Sequence, residues 1–266
     1  MEQGRTLAGA VRWRTLVSPP GDGAANMAVD DALLARARVT GECVLRLYEW
    51  EQPTLSLGRN QTARGQYDLD RARELGVGFV RRQTGGRAVL HHREFTYSVT
   101  GPSSVMGSLR ESYARVNQLL LTTLRRLGVA ATVAGRAERA PSPGIAPCFD
   151  LPVEGELILG HRKLVGSAQW RDETAFLQHG SILVDDDQPL AAALLRLPTA
   201  APPPAATLRE VLGRAPMMSD LAMAFTDALV TLEDAEASPL VVDRALEHSI
   251  AGARVRFLDG HWTWRR

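Results

Sequence analysis

The first regular pattern is at residues 11–17 (VRWRTLV), where apolar and polar positions alternate with the period of a half-buried strand. The run Pro19-Pro20-Gly21-Asp22-Gly23 ends it. Over 24–38 the spacing becomes helical. Met27, Ala28, Ala32, Leu33, Leu34 and Ala37 share a face, with Asp30 and Asp31 early and Arg36 and Arg38 late, as the helix dipole favours. Residues 43–50 (CVLRLYEW) and 54–58 (TLSLG) read as two strands joined by a turn at Glu51-Gln52-Pro53, and 68–75 as a short helix stopped at Gly76. A strand at 77–82 runs into a Gly-rich turn, and 88–100 reads as a long strand or hairpin. Residues 110–127 form an amphipathic helix, with Tyr113, Val116, Leu120, Leu124 and Leu127 on one face and Gly128 after it. A loop rich in Pro, Gly, Ala and Arg covers 134–147, followed by strands at 156–160, 163–171 and 175–184. A helix at 189–197, a Pro/Ala linker at 199–206, helices at 219–232 and 240–248, and a closing strand at 254–264 complete the chain. Strands outnumber helices and arrive mostly as neighbours, which predicts an α+β fold (α/β mixed) of mixed or antiparallel sheets flanked by helices.

Composition narrows the partners. A formal net charge of +1 supplies no field for nucleic acid or an anionic membrane. No apolar run is long enough to span a bilayer, and the N-terminal residues lack the apolar core of a signal peptide. A cytoplasmic protein with Cys43 and Cys148 reduced is therefore expected. No long apolar helix face is left unmatched, so a monomer is expected as well. Of 31 basic residues, Lys163 is the one lysine. Lysine differs from arginine in having a compact ammonium that can exchange its proton, which makes position 163 a candidate for chemistry beside the alternative of chance.

Four segments could carry a reaction. In Arg81-Arg82-Gln83-Thr84-Gly85-Gly86-Arg87-Ala88-Val89-Leu90-His91-His92, two glycines at a strand end let the backbone approach a ligand, and three arginines add an anion-friendly rim. A plain hairpin turn has the same pattern. Cys148-Phe149-Asp150 follows the Pro-rich loop, where a thiol is more accessible than in a strand. Cys43, inside a strand, is expected in the core. Lys163 lies in Gly160-His161-Arg162-Lys163-Leu164-Val165-Gly166-Ser167-Ala168, where a hairpin could bring it beside Cys148; an edge-strand surface lysine is the alternative. His179, in Gln178-His179-Gly180-Ser181, is either a base or a hydrogen-bonded structural group. His91 and His92 point to opposite strand faces, so no zinc or other metal site is expected.

These segments, in this order, resemble the biotin/lipoate A/B protein ligase superfamily. Arg81-Arg82-x-Thr84-Gly85-Gly86 followed by His91 is similar to its acyl-binding loop, and Gly160-x-x-Lys163-x-x-Gly166-Ser167-Ala168 to its lysine motif. Asn26-Met27-Ala28-x-Asp30 is similar to its first helix, and His179-Gly180 to a later strand. Within the superfamily, Cys148-Phe149-Asp150, Gly166-Ser167-Ala168-Gln169 and Gln178-His179-Gly180-Ser181-Ile182 resemble the cysteine-dependent octanoyltransferases of the LipM type. The family usually has His-Asp where this chain has His91-His92, and Pro-Ser with an aromatic where it has Leu151-Pro152-Val153.

The resemblance implies the fold of the ligase catalytic domain, with 1–200 as the acyltransferase core and 201–266 completing the same domain. It implies octanoyl-acyl carrier protein as donor and a lipoyl-domain protein, such as the glycine cleavage H protein, as acceptor. Cys148 and Lys163 would be catalytic. Arg81, Arg82, Thr84, Gly85, Gly86, Arg87, Val89, His91, Gly166, Ser167, Ala168 and His179 would bind substrate. Two thioester-level transfers need neither ATP nor metal. Lys163→Ala should then slow acylation while leaving the fold intact. An eight-carbon chain gains roughly 0.8 kcal/mol per buried CH₂, with Val80, Leu90 and Leu164 as candidate walls. An ATP-dependent lipoate–protein ligase, an amidotransferase between lipoyl proteins and a non-catalytic acyl- or carrier-binding protein are the alternatives.

Overall fold

The computed structural model describes residues 11–135, 155–197 and 202–266. In chain order the elements are β1 (Trp13–Val17), α1 (Gly23–Thr40), β2 (Cys43–Tyr48), β3 (Thr54–Leu57), α2 (Leu69–Glu74), β4 (Gly78–Arg81), β5 (Val89–His91), β6 (Glu94–Pro102), α3 (Ser103–Met106) and α4 (Leu109–Arg126). They continue as β7 (Thr132–Val133), β8 (Leu157–Leu159), β9 (Arg162–Arg171), β10 (Ala175–Leu183), α5 (Gln188–Ala193), α6 (Leu208–Leu212), α7 (Met218–Leu232), β11 (Ser238–Pro239), α8 (Arg244–Leu258) and α9 (Gly260–Thr263).

A mixed sheet of eight strands runs β11-β1-β2-β6-β10-β9-β8-β7, and a small sheet runs β4-β3-β5. In the large sheet β1 is parallel to β2, while β6, β10 and β9 pair antiparallel in succession. The alternation along β6 sorts the two faces. Phe95, Tyr97 and Val99 join Leu120 and Leu124 of α4 and Phe225 of α7 in the main core. The intervening Ser98 donates to Asp30 of α1 on the other face. Helix α1 is covered in turn by α8, so it is buried on two sides, which is why it carries alanines and leucines nearly all round. Asp22 caps its first turn by accepting from the Ala25 N–H at 2.7 Å. A capping box of Ser108 and Glu111 starts α4.

The strands read at 43–50 and 54–58 form, with β2 in the large sheet and β3 in the small one. Two expectations change. The run 88–100 splits at His92-Arg93 into β5 and β6, which lie in different sheets. Its two halves therefore hold the sheets together, and the cleft between them opens there. The closing strand at 254–264 is instead the end of α8 followed by α9. Arg254-Val255-Arg256-Phe257 alternates locally, but Leu246, Ile250, Ala253 and Phe257 keep helical spacing, and burial of that stripe against α1 decides the outcome. The helix placed at 240–248 is correspondingly shifted and longer.

The Pro/Ala stretch is not a free linker where it is described. Ala205, Ala206 and Thr207 are buried, and the Ala206 N–H donates to the Lys163 carbonyl at 2.9 Å. No helix among the described residues is long and apolar enough to cross a membrane.

Candidate active site

The cleft between the two sheets is a cavity of about 430 Å³, mouth included. Its walls come from the segments singled out in the sequence: Arg82, Gly86, Val89 and His91 from the first, Gly166, Ser167 and Ala168 from the lysine strand, and His179 from the fourth. Met27, Tyr48 and Trp50 supply apolar and aromatic surface. The walls suggested earlier are elsewhere: Leu90 packs with Leu55 and Leu57, Val80 with Met27 and Trp50, and Leu164 in the main core. They were chosen for apolarity alone, and apolar residues serve packing more often than ligand contact.

The Gly85-Gly86 turn is held from several sides. The buried Arg82 guanidinium donates to the carbonyls of Gly85 at 2.9 Å, Arg87 at 2.7 Å and Ser56 at 2.8 Å. Gly86 has φ 91°, the region where a side chain is strained. A Cβ on Gly58 would overlap the Gly86 carbonyl oxygen, so the turn and the β3 exit are in backbone contact. Arg81 does a different job. Its guanidinium, fully buried, donates to the carbonyls of Gly58 at 2.6 Å, Gln61 at 2.8 Å and Thr263 at 2.8 Å, tying the C-terminal helix to the loop after β3. Burial and the nearby cations Arg265, Arg82 and Arg266 lower its pKa to about 10. Arg81, Thr84, Gly85, Arg87 and Lys163 are not among the residues lining this cavity.

Beneath the cavity run two buried chains of carboxylate, imidazole and hydroxyl. Asp30 accepts from Arg46 Nη1 at 2.7 Å, Ser98 Oγ at 2.8 Å and Tyr48 OH at 3.1 Å. Its Oδ2 faces His179 Nδ1 at 3.3 Å, and His179 Nε2 lies 2.6 Å from Thr84 Oγ1. An ionised carboxylate cannot donate, so Nδ1 carries the proton and Nε2 accepts from the Thr84 hydroxyl. In the second chain, His91 Nδ1 meets Glu94 Oε1 at 2.8 Å and His91 Nε2 meets Ser56 Oγ at 2.7 Å. The Trp50 ring stacks on His91, with centroids 4.0 Å apart. His92 is half exposed beside Asp187 at 3.4 Å, as the opposite strand face requires.

Burial holds the His179 imidazole below its ordinary pKa of 6.5, against the opposing pull of Asp30. The folded chain refuses a proton that the unfolded chain binds as pH drops below that value. The stability this confers is full above pH 6.5 and is lost on acidification towards the lower folded pKa, at a slope of up to ~1.4 kcal/mol per pH unit. Thermal melts of His179→Gln between about pH 6.5 and pH 5 should show a shallower loss of Tm than the parent protein. An equal slope in both would mean that His179 takes no part.

Lys163 is 2% exposed, and its Nζ donates to Glu156 Oε1 at 2.5 Å. It stands on the strand that supplies Gly166, Ser167 and Ala168 to the cavity wall. An edge-strand surface lysine is therefore excluded. Cys148, with Phe149 and Asp150, lies outside the described residues. Cys43 is in the core as expected, and burial pushes its thiol up to about 12.

Asp30, Arg46, Glu94 and Glu156 were not foreseen as site residues. A signal was present for the first two: a carboxylate on the apolar face of a helix and an arginine within a wholly apolar strand are each too costly to bury alone, which makes them partners.

The Lipoyl protein ligase A/B catalytic domain model matches residues 22–230. The chain is 41% identical to octanoyltransferase LipM of Kyrpidia tusciae over 88% of this chain and 83% of that one. It is 36% identical to octanoyltransferase LipM of Moorella thermoacetica over 97% and 99%. Among solved structures, lipoate-protein ligase A bound with ATP superposes with a TM-score of 0.78 at 20% identity, covering 96% of this chain and 99% of that one. A chain from the structure of a bi-partite lipoate protein ligase and its E2 lipoyl domain from Thermoplasma acidophilum gives 0.74 at 19% identity, with 96% of each covered.

Proposed function

The chain belongs to the lipoyl protein ligase A/B catalytic domain family, and from that premise we propose that it is an octanoyltransferase moving an acyl group from a carrier thioester to a protein lysine through Cys148. The donor is octanoyl-acyl carrier protein, and the acceptor is a lipoyl-domain protein such as the glycine cleavage H protein. The observation that carries this reading is the convergence of the Gly85-Gly86 turn, the lysine strand and the His179 strand on one cavity with apolar walls. The LipM relatives and the order of the motifs favour transfer over nucleotide-dependent ligation.

The Cys148 thiolate attacks the donor's thioester carbonyl, the bond to the donor sulfur breaks, and the donor thiol leaves with a proton. The acceptor ε-amine then attacks the Cys148 thioester, an amide forms, and the thiol returns. Developing oxyanion charge is stabilised by the Lys163 ammonium and the Gly85-Gly86 backbone. Thioester to thioester is nearly energy-neutral, and thioester to amide runs downhill, so neither ATP nor metal is required. His179 and His91 stay bound to their carboxylates and keep the cavity wall rigid. The protein works as a monomer in the cytoplasm.

Purified protein with octanoyl-acyl carrier protein and a lipoyl-domain acceptor, without nucleotide, should yield octanoylated acceptor. Transfer that appears only with free lipoate and ATP, accompanied by pyrophosphate exchange, would assign the chain to the ligases instead.

A further inference from the structure

Beside the Gly85-Gly86 turn lies a cluster of arginines that do not line the cavity and that the acyl-transfer chemistry does not use. After α9 the chain lies against the loop that follows β3: the N–H groups of Ala63 and Arg64 donate to the main-chain oxygen of Arg266 at 3.0 and 2.8 Å. Arg64 Nε donates to the Trp264 carbonyl at 3.1 Å. This brings Arg265 to Arg59, whose carbonyl accepts from Arg265 Nη2 at 2.5 Å. Arg265 and Arg256 both sit on the ring of Trp262, with Cζ 4.1 and 5.0 Å from its centroid. Arg59 leans over Trp170 at 5.9 Å. The guanidinium groups of Arg59, Arg64, Arg256 and Arg265 are thus each set against a carbonyl or an indole.

The cluster is fastened to the reactive turn. The Arg59 N–H donates to the Thr84 carbonyl at 2.8 Å, Gly58 abuts Gly86, and Arg256 Nη2 reaches Gln83 Oε1 at 3.3 Å. Charge is what sets it apart. Most arginines elsewhere on the surface have a carboxylate, as Arg38 has Asp172 and Arg254 has Asp22, and Arg256 pairs with Asp31 at 3.0 Å. Arg59, Arg64, Arg265 and Arg266 have no carboxylate partner among the described residues. Like charges gathered at one place cost free energy that an anionic ligand recovers. A net charge of +1 for the whole chain makes this a local field, suited to a patch on a protein and too small for a nucleic acid or a membrane surface.

We infer that Arg59 and Arg265, with Arg64 and Arg266 behind them, form the docking surface for the acidic face of the carrier domain that delivers the acyl thioester. A partner held there presents its thioester arm at Gly86, at the open end of the cavity. This inference rests on the transferase reading of the cavity, and it adds the residues by which a protein-bound donor is told from a small thioester. Arg59 and Arg265 act on encounter and orientation, without touching the reacting atoms.

The test compares two donors, octanoyl-acyl carrier protein and octanoyl-pantetheine, in the parent protein and in Arg59→Glu/Arg265→Glu. With the carrier donor at low salt, kcat/KM should fall roughly 10- to 100-fold, chiefly through KM, and its dependence on ionic strength should flatten. With octanoyl-pantetheine the two proteins should agree, and Arg59→Lys should keep most of the carrier rate. An unchanged carrier rate in the double variant would overturn the inference, as would equal losses on both donors. So would a loss confined to binding of DNA or of anionic vesicles, which would assign the patch to that partner. A parent protein that transfers from neither donor would instead remove the transferase reading itself.

Discussion

Replacing Lys163 by Ala is expected to lower octanoyl transfer by about 10²–10³-fold, the scale of removing one charge-stabilising donor from an acyl-transfer site. The sequence alone implied that this change would spare the fold, and the structure corrects that. Lys163 is 2% exposed and paired with Glu156 at 2.5 Å, so truncation takes one charge from a buried pair. Breaking a buried pair typically costs about 3–5 kcal/mol of stability, because the carboxylate keeps its desolvation cost and loses the attraction of this ammonium. A drop in activity from Lys163→Ala alone would therefore mix two effects. The double variant Lys163→Met/Glu156→Gln separates them: the charge pair is replaced by uncharged groups of similar size, and most of the Tm should return while transfer stays low. Recovery of transfer in that variant would show that Lys163 serves the fold and not the reaction. Lys163→Arg should also transfer poorly, since the larger planar head overfills a closed site.

The second large effect is expected at Cys148. Cys148→Ala should reduce transfer by at least ~10³-fold, as removal of a nucleophile does. Cys148→Ser should recover little, because a hydroxyl lacks the thiol's access to an anionic form. Cys43 is the matched control. Its thiol is buried against Gly101 and its pKa is raised to about 12 by desolvation, so it is not available as a thiolate. Cys43→Ala should retain transfer and lose only stability, of order 1 kcal/mol for a small core truncation. Rates measured with both donors, beside thermal melts, check the pair. A protein that works without Cys148 and fails without Cys43 would reverse the assignment.

The parts of this molecule that could be read from the chain are those where one short-range pattern decides the structure. Helix α4 was visible because Val116, Leu120 and Leu124 repeat at helical spacing and Gly128 follows the last of them; its Ser108 cap emerges only in the structure. Strands β9 and β10 were visible from apolar runs bounded by glycines and turn residues. The division into two sheets was not, because it depends on where β3 and β5 find partners, and strand pairing at long range leaves little local trace. The end of α8 was misread where Arg254-Val255-Arg256-Phe257 alternates over four residues, too short a window against the longer stripe ending at Phe257.

The site shows the same division. Gly86, His91, Gly166 and His179 could be picked out because they stand in segments that resemble the family's motifs. The groups that hold them, Asp30, Glu94 and Glu156, come from distant elements and acquire meaning only when folding brings them to an imidazole or an ammonium. Arg81 and Arg82 are adjacent and chemically identical, yet one lines the cavity and the other secures the C-terminal helix, because successive strand residues face opposite ways.

The most direct test of the transferase reading is the mass of the protein itself. It is mixed with octanoyl-acyl carrier protein in the absence of nucleotide and acceptor, quenched in acid, weighed intact and then mapped by peptide. The expected result is a gain of one octanoyl group on the peptide that contains Cys148, discharged when a lipoyl-domain protein is added before the quench. An unmodified protein that nevertheless octanoylates its acceptor, or an acyl group found on any other residue, would contradict it.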